Sequence, residues 1–186
     1  MDLYVTRMKK IVLLLLPLYI FSTLTLADEN IETEAVQLLQ AYLQVDTTNP
    51  PGNESRAVNF LAKIFDEEGI QYDSAESAPG RANIWARIKG GNKPAIILLH
   101  HSDVVPANEE YWDFDPLSGE IVDGYIQGRG ALDMKGLGIS HLANFLRLHR
   151  SNKELNRDVI LIAAPYEETV GNKGMGWIIK KRQKPL

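Results

Sequence analysis

The sequence predicts an α/β fold, a layered and mostly parallel sheet flanked by helices. Two observations carry this. Ala95 to Leu99 and Val159 to Ala164 are short, wholly apolar runs, the pattern of strands buried on both faces. Around them lie segments with apolar residues at helical spacing, so strands and helices alternate along the chain. A third observation bears on domains. No linker, repeat or low-complexity stretch divides residues 28–186, which read as one domain.

Residues 1–27 read as a leader. Arg7, Lys9 and Lys10 form a positive start, Ile11 to Phe21 is an apolar run broken only by Pro17, and small residues lead up to Ala27. Secretion or periplasmic delivery is expected, with cleavage after Ala27. The apolar run is short for a span, which needs about 20 residues, so no stable membrane association is expected after cleavage. The net charge of −4 argues against nucleic acid as a partner. The chain has no cysteine, so stability must come from burial, with bound metal as an optional further source, and not from disulfides.

The elements follow in order. Asn30 to Leu43 has helical spacing, through Ile31, Ala35, Leu38, Leu39 and Leu43. Thr47 to Gly52, with Pro50-Pro51, is a loop. Asn53 is a candidate cap for a helix with Val58, Leu61, Ile64 and Phe65 on its apolar face, and Gly69 is its stop. Asn83 to Ile88 alternates as a strand, and Gly90-Gly91-Asn92 is a turn before the first apolar run. Asp123-Gly124 marks a short hairpin within Glu120 to Gln127. Lys135 to Leu148 is helical, with Leu137, His141, Leu142, Phe145 and Leu148 near one face. Gly174 to Lys181 begins a further helix.

Three segments carry candidate chemistry. In His100-His101-Ser102-Asp103, His101 stands at the end of a strand, where α/β folds gather ligand-binding groups. Neutral imidazole is a common zinc ligand, and Asp103 could accept from its second nitrogen. For His-x-Asp alone, an ordinary turn histidine is the commoner explanation. Asp133 follows the glycine-dense Gly128-Arg129-Gly130 and precedes a helix. It could bridge two cations, or simply cap the helix. Glu167 and Glu168 follow the second apolar strand. One could hold metal while the other works as a general base, or both could be solvated loop residues. Asp66-Glu67-Glu68-Gly69 has similar letters at the end of an amphipathic helix, where solvated surface is expected.

In combination and in this order, the segments resemble the M20 family of metallopeptidases. That group includes carboxypeptidases, aminoacylases, acetylornithine deacetylase and succinyl-diaminopimelate desuccinylase. Asn49-Pro50-Pro51-Gly52 and Trp112-Asp113-Phe114-Asp115-Pro116 extend the resemblance over nearly all of residues 28–186. It implies a zinc-peptidase-like catalytic domain with two Zn2+ ions, Co2+ or Mn2+ being alternatives with overlapping ligand preferences. His101 and Glu168 would each ligate one ion, Asp133 would bridge both, and Asp103 would orient His101. Glu167 would take a proton from the attacking water and pass it to the leaving nitrogen of an amide. The family often has a non-proline cis peptide after the bridging Asp, here Asp133–Met134. Its third motif usually begins with Asp where this chain has Tyr166, which puts fine positioning in question.

The implied substrates are small peptides or N-acyl amino acids. The family takes further metal ligands and a lid and dimerisation domain from downstream positions, so residues 28–186 are expected to be the N-terminal part of the catalytic domain. Each ion is then left with Asp133 and one other side chain, and metal binding should be weak. The full-length form is expected to be a homodimer. Two rival readings stay open: a non-catalytic remnant that folds partly and binds metal weakly, and an N-acyl-amino-acid deacylase.

Overall fold

The computed structural model describes residues 32–181; the leader reading of residues 1–27 lies outside the described residues. A helix over 32–43, α1, comes first. Residues 32–35 fall in one contact unit and Val36 onward in a second, which carries every element after α1. These are α2 (Ser55–Glu67), β1 (Tyr72–Ala78), β2 (Arg81–Ile88), β3 (Lys93–His101), β4 (Ile121–Val122), β5 (Tyr125–Ile126), α3 (Lys135–Ser151), β6 (Arg157–Ala164) and α4 (Met175–Lys181).

The main sheet runs β1-β2-β6-β3. The α/β class holds, but the sheet is mixed and not mostly parallel. β3 and β6 are parallel, while β1·β2 and β2·β6 are antiparallel. Connection length explains this. β1 and β2 are joined by the tight turn at Pro79-Gly80, where Gly80 has φ 75°, and such a turn can join only antiparallel strands. Between β3 and β6 the chain has room for α3, the crossover that parallel pairing requires.

β6 is the buried interior strand its apolar run predicted. β3 is not: Ile96, Ile97 and Leu99 are 45%, 49% and 37% exposed. Among the described residues β3 pairs with β6 alone and forms an edge of the sheet. α3 packs on β3 and β6, and α2 on β1 and β2. The buried residues of α3 are Lys135, Gly138, Ile139, Leu142, Phe145 and Leu146. Leu137, expected on the buried face, is exposed, because the sheet selects the stripe through Gly138 and Ile139. Ile178 of α4 packs with Trp85, Ile160 and Ile162. Each such side chain contributes roughly 1.5–3 kcal/mol relative to exposure.

Local turn chemistry follows the residues. Asp123 and Gly124 both have positive φ, as a two-residue turn of the twisted kind demands, and they join β4 to β5. Gly69, at φ 66°, ends α2: its N–H bonds to Asp66, and that of Ile70 to Phe65. Asn53 does not cap α2. The cap position is Glu54, with no side-chain cap bond, because its carboxylate is committed to Arg81. Glu68 is half-buried and not merely solvated: it binds Arg150 of α3 through both carboxylate oxygens, at 2.9 and 2.5 Å.

Candidate metal centre

Parallel register brings the site together. His101 and Ala164 are partners at the carboxyl ends of β3 and β6, so the segments after both strands leave from one edge of the sheet. Asp133 reaches the same place from the turn before α3. Gly130, at φ 90°, permits that turn, since a Cβ there would lie 2.7 Å from Val104 Cγ1. Buried Lys135 anchors it by donating to the carbonyls of Tyr42 and Val45 at 3.0 and 2.6 Å. Burial pushes the Lys135 ammonium down to about 8, against the pull of Asp46. The Asp133–Met134 peptide is cis. The cap of α3 is Met134, with no side-chain bond, so Asp133 is not spent on capping.

One ligand atom each from His101, Asp133 and Glu168 lie within 4.8 Å of one another. His101 Nε2 is 3.1 Å from Asp133 Oδ1 and 3.8 Å from Glu167 Oε2. Its Nδ1 lies 2.9 Å from the Asp103 main-chain carbonyl and 3.5 Å from Asp103 Oδ1. A carbonyl can only accept, so Nδ1 carries hydrogen and Nε2 is the nitrogen left to face the acids and any cation. Burial opposes charge on this ring, but Asp103 and Asp133 outweigh it and lift His101 to about 9. One imidazole and two carboxylates are a donor set that suits zinc.

Asp103 is fully buried and holds the turn that carries both glutamates. Its Oδ1 accepts from the Glu167 N–H and its Oδ2 from the Glu168 N–H, both at 3.1 Å. Burial would raise its carboxyl, yet bonds from His101, Asn49 and these two amides hold it below the usual range. Burial raises the Glu168 carboxyl, while His101 opposes. Glu167 is exposed at the mouth of a cavity of about 270 Å³, whose apolar wall includes Leu99, Met134, Pro165 and Met175.

All five residues singled out from the sequence therefore meet at one strand edge. Sequence reasoning did not identify what stands behind them. Asn49 Nδ2 donates to Asp103 Oδ2 at 2.8 Å, and Arg81 Nη2 donates to Asn49 Oδ1 at 3.0 Å. Arg81 Nη1 pairs with buried Glu54 at 2.6 Å, and its guanidinium lies 4.6 Å over the Tyr166 ring. Arg81 opens a strand that also carries Asn83 and Arg87, so its letter alone did not set it apart.

Residues 97–185 match the model of peptidase family M20/M25/M40. The chain is 34% identical over 153 residues to aminoacylase-1 of Sus scrofa, across 81% of this chain and 38% of that protein. It is 38% identical over 104 residues to succinyl-diaminopimelate desuccinylase of Methylorubrum extorquens, across 53% of this chain and 26% of that protein. Among solved structures, an M20 family metallo-carboxypeptidase from Sulfolobus solfataricus superposes with a TM-score of 0.68 at 27% identity. It covers 79% of this chain and 34% of the carboxypeptidase. The chain thus spans less than half the length of the relatives it matches.

Proposed function

Since residues 97–185 belong to peptidase family M20/M25/M40, we propose that this chain carries the catalytic half-site of a zinc-dependent hydrolase of peptide or N-acyl-amino-acid amides. One observation carries the reading: His101, Asp133 and Glu168 converge within 4.8 Å beside the exposed carboxylate of Glu167. His101 Nε2 and Glu168 would each hold one ion, and Asp133 both. Bound zinc supplies Lewis acidity and lowers the pKa of a bound water to about 7. Catalytic zinc normally has about three protein ligands, so two ions sharing Asp133 need ligands beyond these three side chains.

The chain's own residues supply the rest. Asp103 fixes the His101 ring through Nδ1 and holds the Glu167-Glu168 turn through two main-chain amides. Glu167 accepts the proton of the attacking water at its carboxylate. As the carbon–nitrogen bond breaks, Glu167 returns that proton to the leaving amine, and the carbonyl side departs as a carboxylic acid. The apolar cavity beside Glu167 has room for a side chain or acyl group of the substrate. Export after removal of residues 1–27 and a homodimeric full-length form complete the reading.

The test is hydrolysis of N-acyl amino acids and dipeptides by the full-length zinc-loaded protein. Glu167→Gln is expected to lower kcat by about 10²–10⁴-fold while leaving zinc content unchanged. Turnover retained in that variant overturns the role given to Glu167.

A further inference from the structure

We propose that Asn49 and Arg81 are positioning residues for the metal centre, with the Asn49 amide tying Asp103 to Arg81 and the Tyr166 ring tying Arg81 to the glutamate turn. The inference rests on the metal-centre reading and adds to it residues that touch neither ion nor substrate.

Chemistry fixes the direction of the Asn49 amide. Arg81 has only donors and ionised Asp103 only acceptors, so the amide must present its oxygen to the first and its nitrogen to the second. The distances, 3.0 and 2.8 Å, agree with that assignment. Asn49 is 2% exposed, so water does not replace either bond. The neutral amide also works as a spacer. Direct contact of Arg81 with Asp103 would commit the carboxylate to the guanidinium. Through Asn49, Asp103 is held in place while its oxygens stay available to His101 and to the amides of Glu167 and Glu168.

Arg81 is built in from several sides. Glu54 Oε1, Asn49 Oδ1 and the Pro51 carbonyl accept from it, and Tyr166 lies beneath its guanidinium. Lys173 Nζ also lies over the Tyr166 ring, at 4.5 Å. Tyr166 immediately precedes Glu167 and takes a positive φ of 70°, so the residue that carries the ring also forms the entry to the glutamate turn. A guanidinium over an aromatic face is attracted by the ring's negative face. Arg81 thus reaches the site by two routes, through Asn49 to Asp103 and through Tyr166 to Glu167.

The test compares the full-length parent protein with Asn49→Leu, Tyr166→Leu and Tyr166→Phe. Amide hydrogen exchange is read residue by residue, and Co2+ binding by calorimetry and visible absorption. Asn49→Leu is expected to speed exchange at Glu167 and Glu168 while α3 keeps its protection, and to weaken Co2+ binding about 10–100-fold. Tyr166→Leu should move both readouts the same way, and Tyr166→Phe, which keeps the ring, should match the parent. Unchanged exchange at Glu167 and Glu168, with unchanged Co2+ affinity, in folded Asn49→Leu overturns the proposal. If Asn49→Leu does not fold, identical behaviour of Tyr166→Leu and the parent overturns it instead. A full-length parent protein that takes up no Co2+ sinks the metal reading, and the exchange data then decide the positioning roles by themselves.

Discussion

At Gly52 the backbone has room for hydrogen and nothing larger. Its φ is 79°, and a Cβ there would lie 1.8 Å from Arg81 Nη1. Gly52→Ala is therefore expected to lower stability by more than about 1 kcal/mol, read as a shift in the urea midpoint. The loss combines a disfavoured backbone conformation with displacement of a buried guanidinium that neutralises Glu54. The candidate site residues were legible only in combination and order, since each segment taken singly also had an ordinary turn, cap or loop explanation. Asn49, Glu54 and Arg81 were not, because their partners are distant in sequence. Asn49 stood out as part of a proline-glycine loop, but no spacing rule connects it to Asp103. Glu54 had no role in the sequence reading, and only the fold shows that burial pushes its carboxyl up while Arg81 opposes that.

Among elements, α3 and β3 show how close approach is encoded. A Cβ at Gly138 would come within 2.5 Å of the His100 ring. Ala is better than Gly in a helix by about 1 kcal/mol, whereas overpacking a filled core costs about 1–3 kcal/mol. Gly138→Ala is thus expected to be net destabilising in thermal unfolding, against its helix propensity. His100 itself is wholly buried, with Tyr42 Oη 3.3 Å from its Nε2. Burial first, then His141, His101 and Lys135, push His100 down to about 3. Between pH 6.5 and about 3 the unfolded chain takes up a proton that the folded chain refuses, so stability falls as pH drops through this window. His100→Leu should remove that part of the acid loss, checked by urea midpoints at pH 7, 5 and 4. Periodicity located α3 correctly but misjudged its buried stripe. Leu137 is apolar and Gly138 is not counted as such, yet the sheet needs the smaller residue.

For the whole molecule, the governing feature is the β3 edge. Ile96, Ile97 and Leu99 are exposed beside a row of backbone groups paired on one side only among the described residues. Such an edge is a template for association. The 186-residue chain is expected to self-associate at micromolar concentration, and Ile97→Lys to shift it toward monomer in analytical ultracentrifugation. Ala95 to Leu99 read as a doubly buried strand because an apolar run reports the demand for burial and not whether a neighbour meets it. The sequence by itself determined the α/β class, the helix stop at Gly69 and the hairpin at Asp123-Gly124, and it named the five candidate residues that the fold brings to one end of the sheet. Each of these depends on local geometry or on what one side chain can do. Only the tertiary structure decided that one of the three pairings in the main sheet is parallel, that β3 is its edge among the described residues, and that Asn49 joins Arg81 to Asp103. Those outcomes depend on which distant segments meet, and contact between distant residues leaves no period or spacing in the chain.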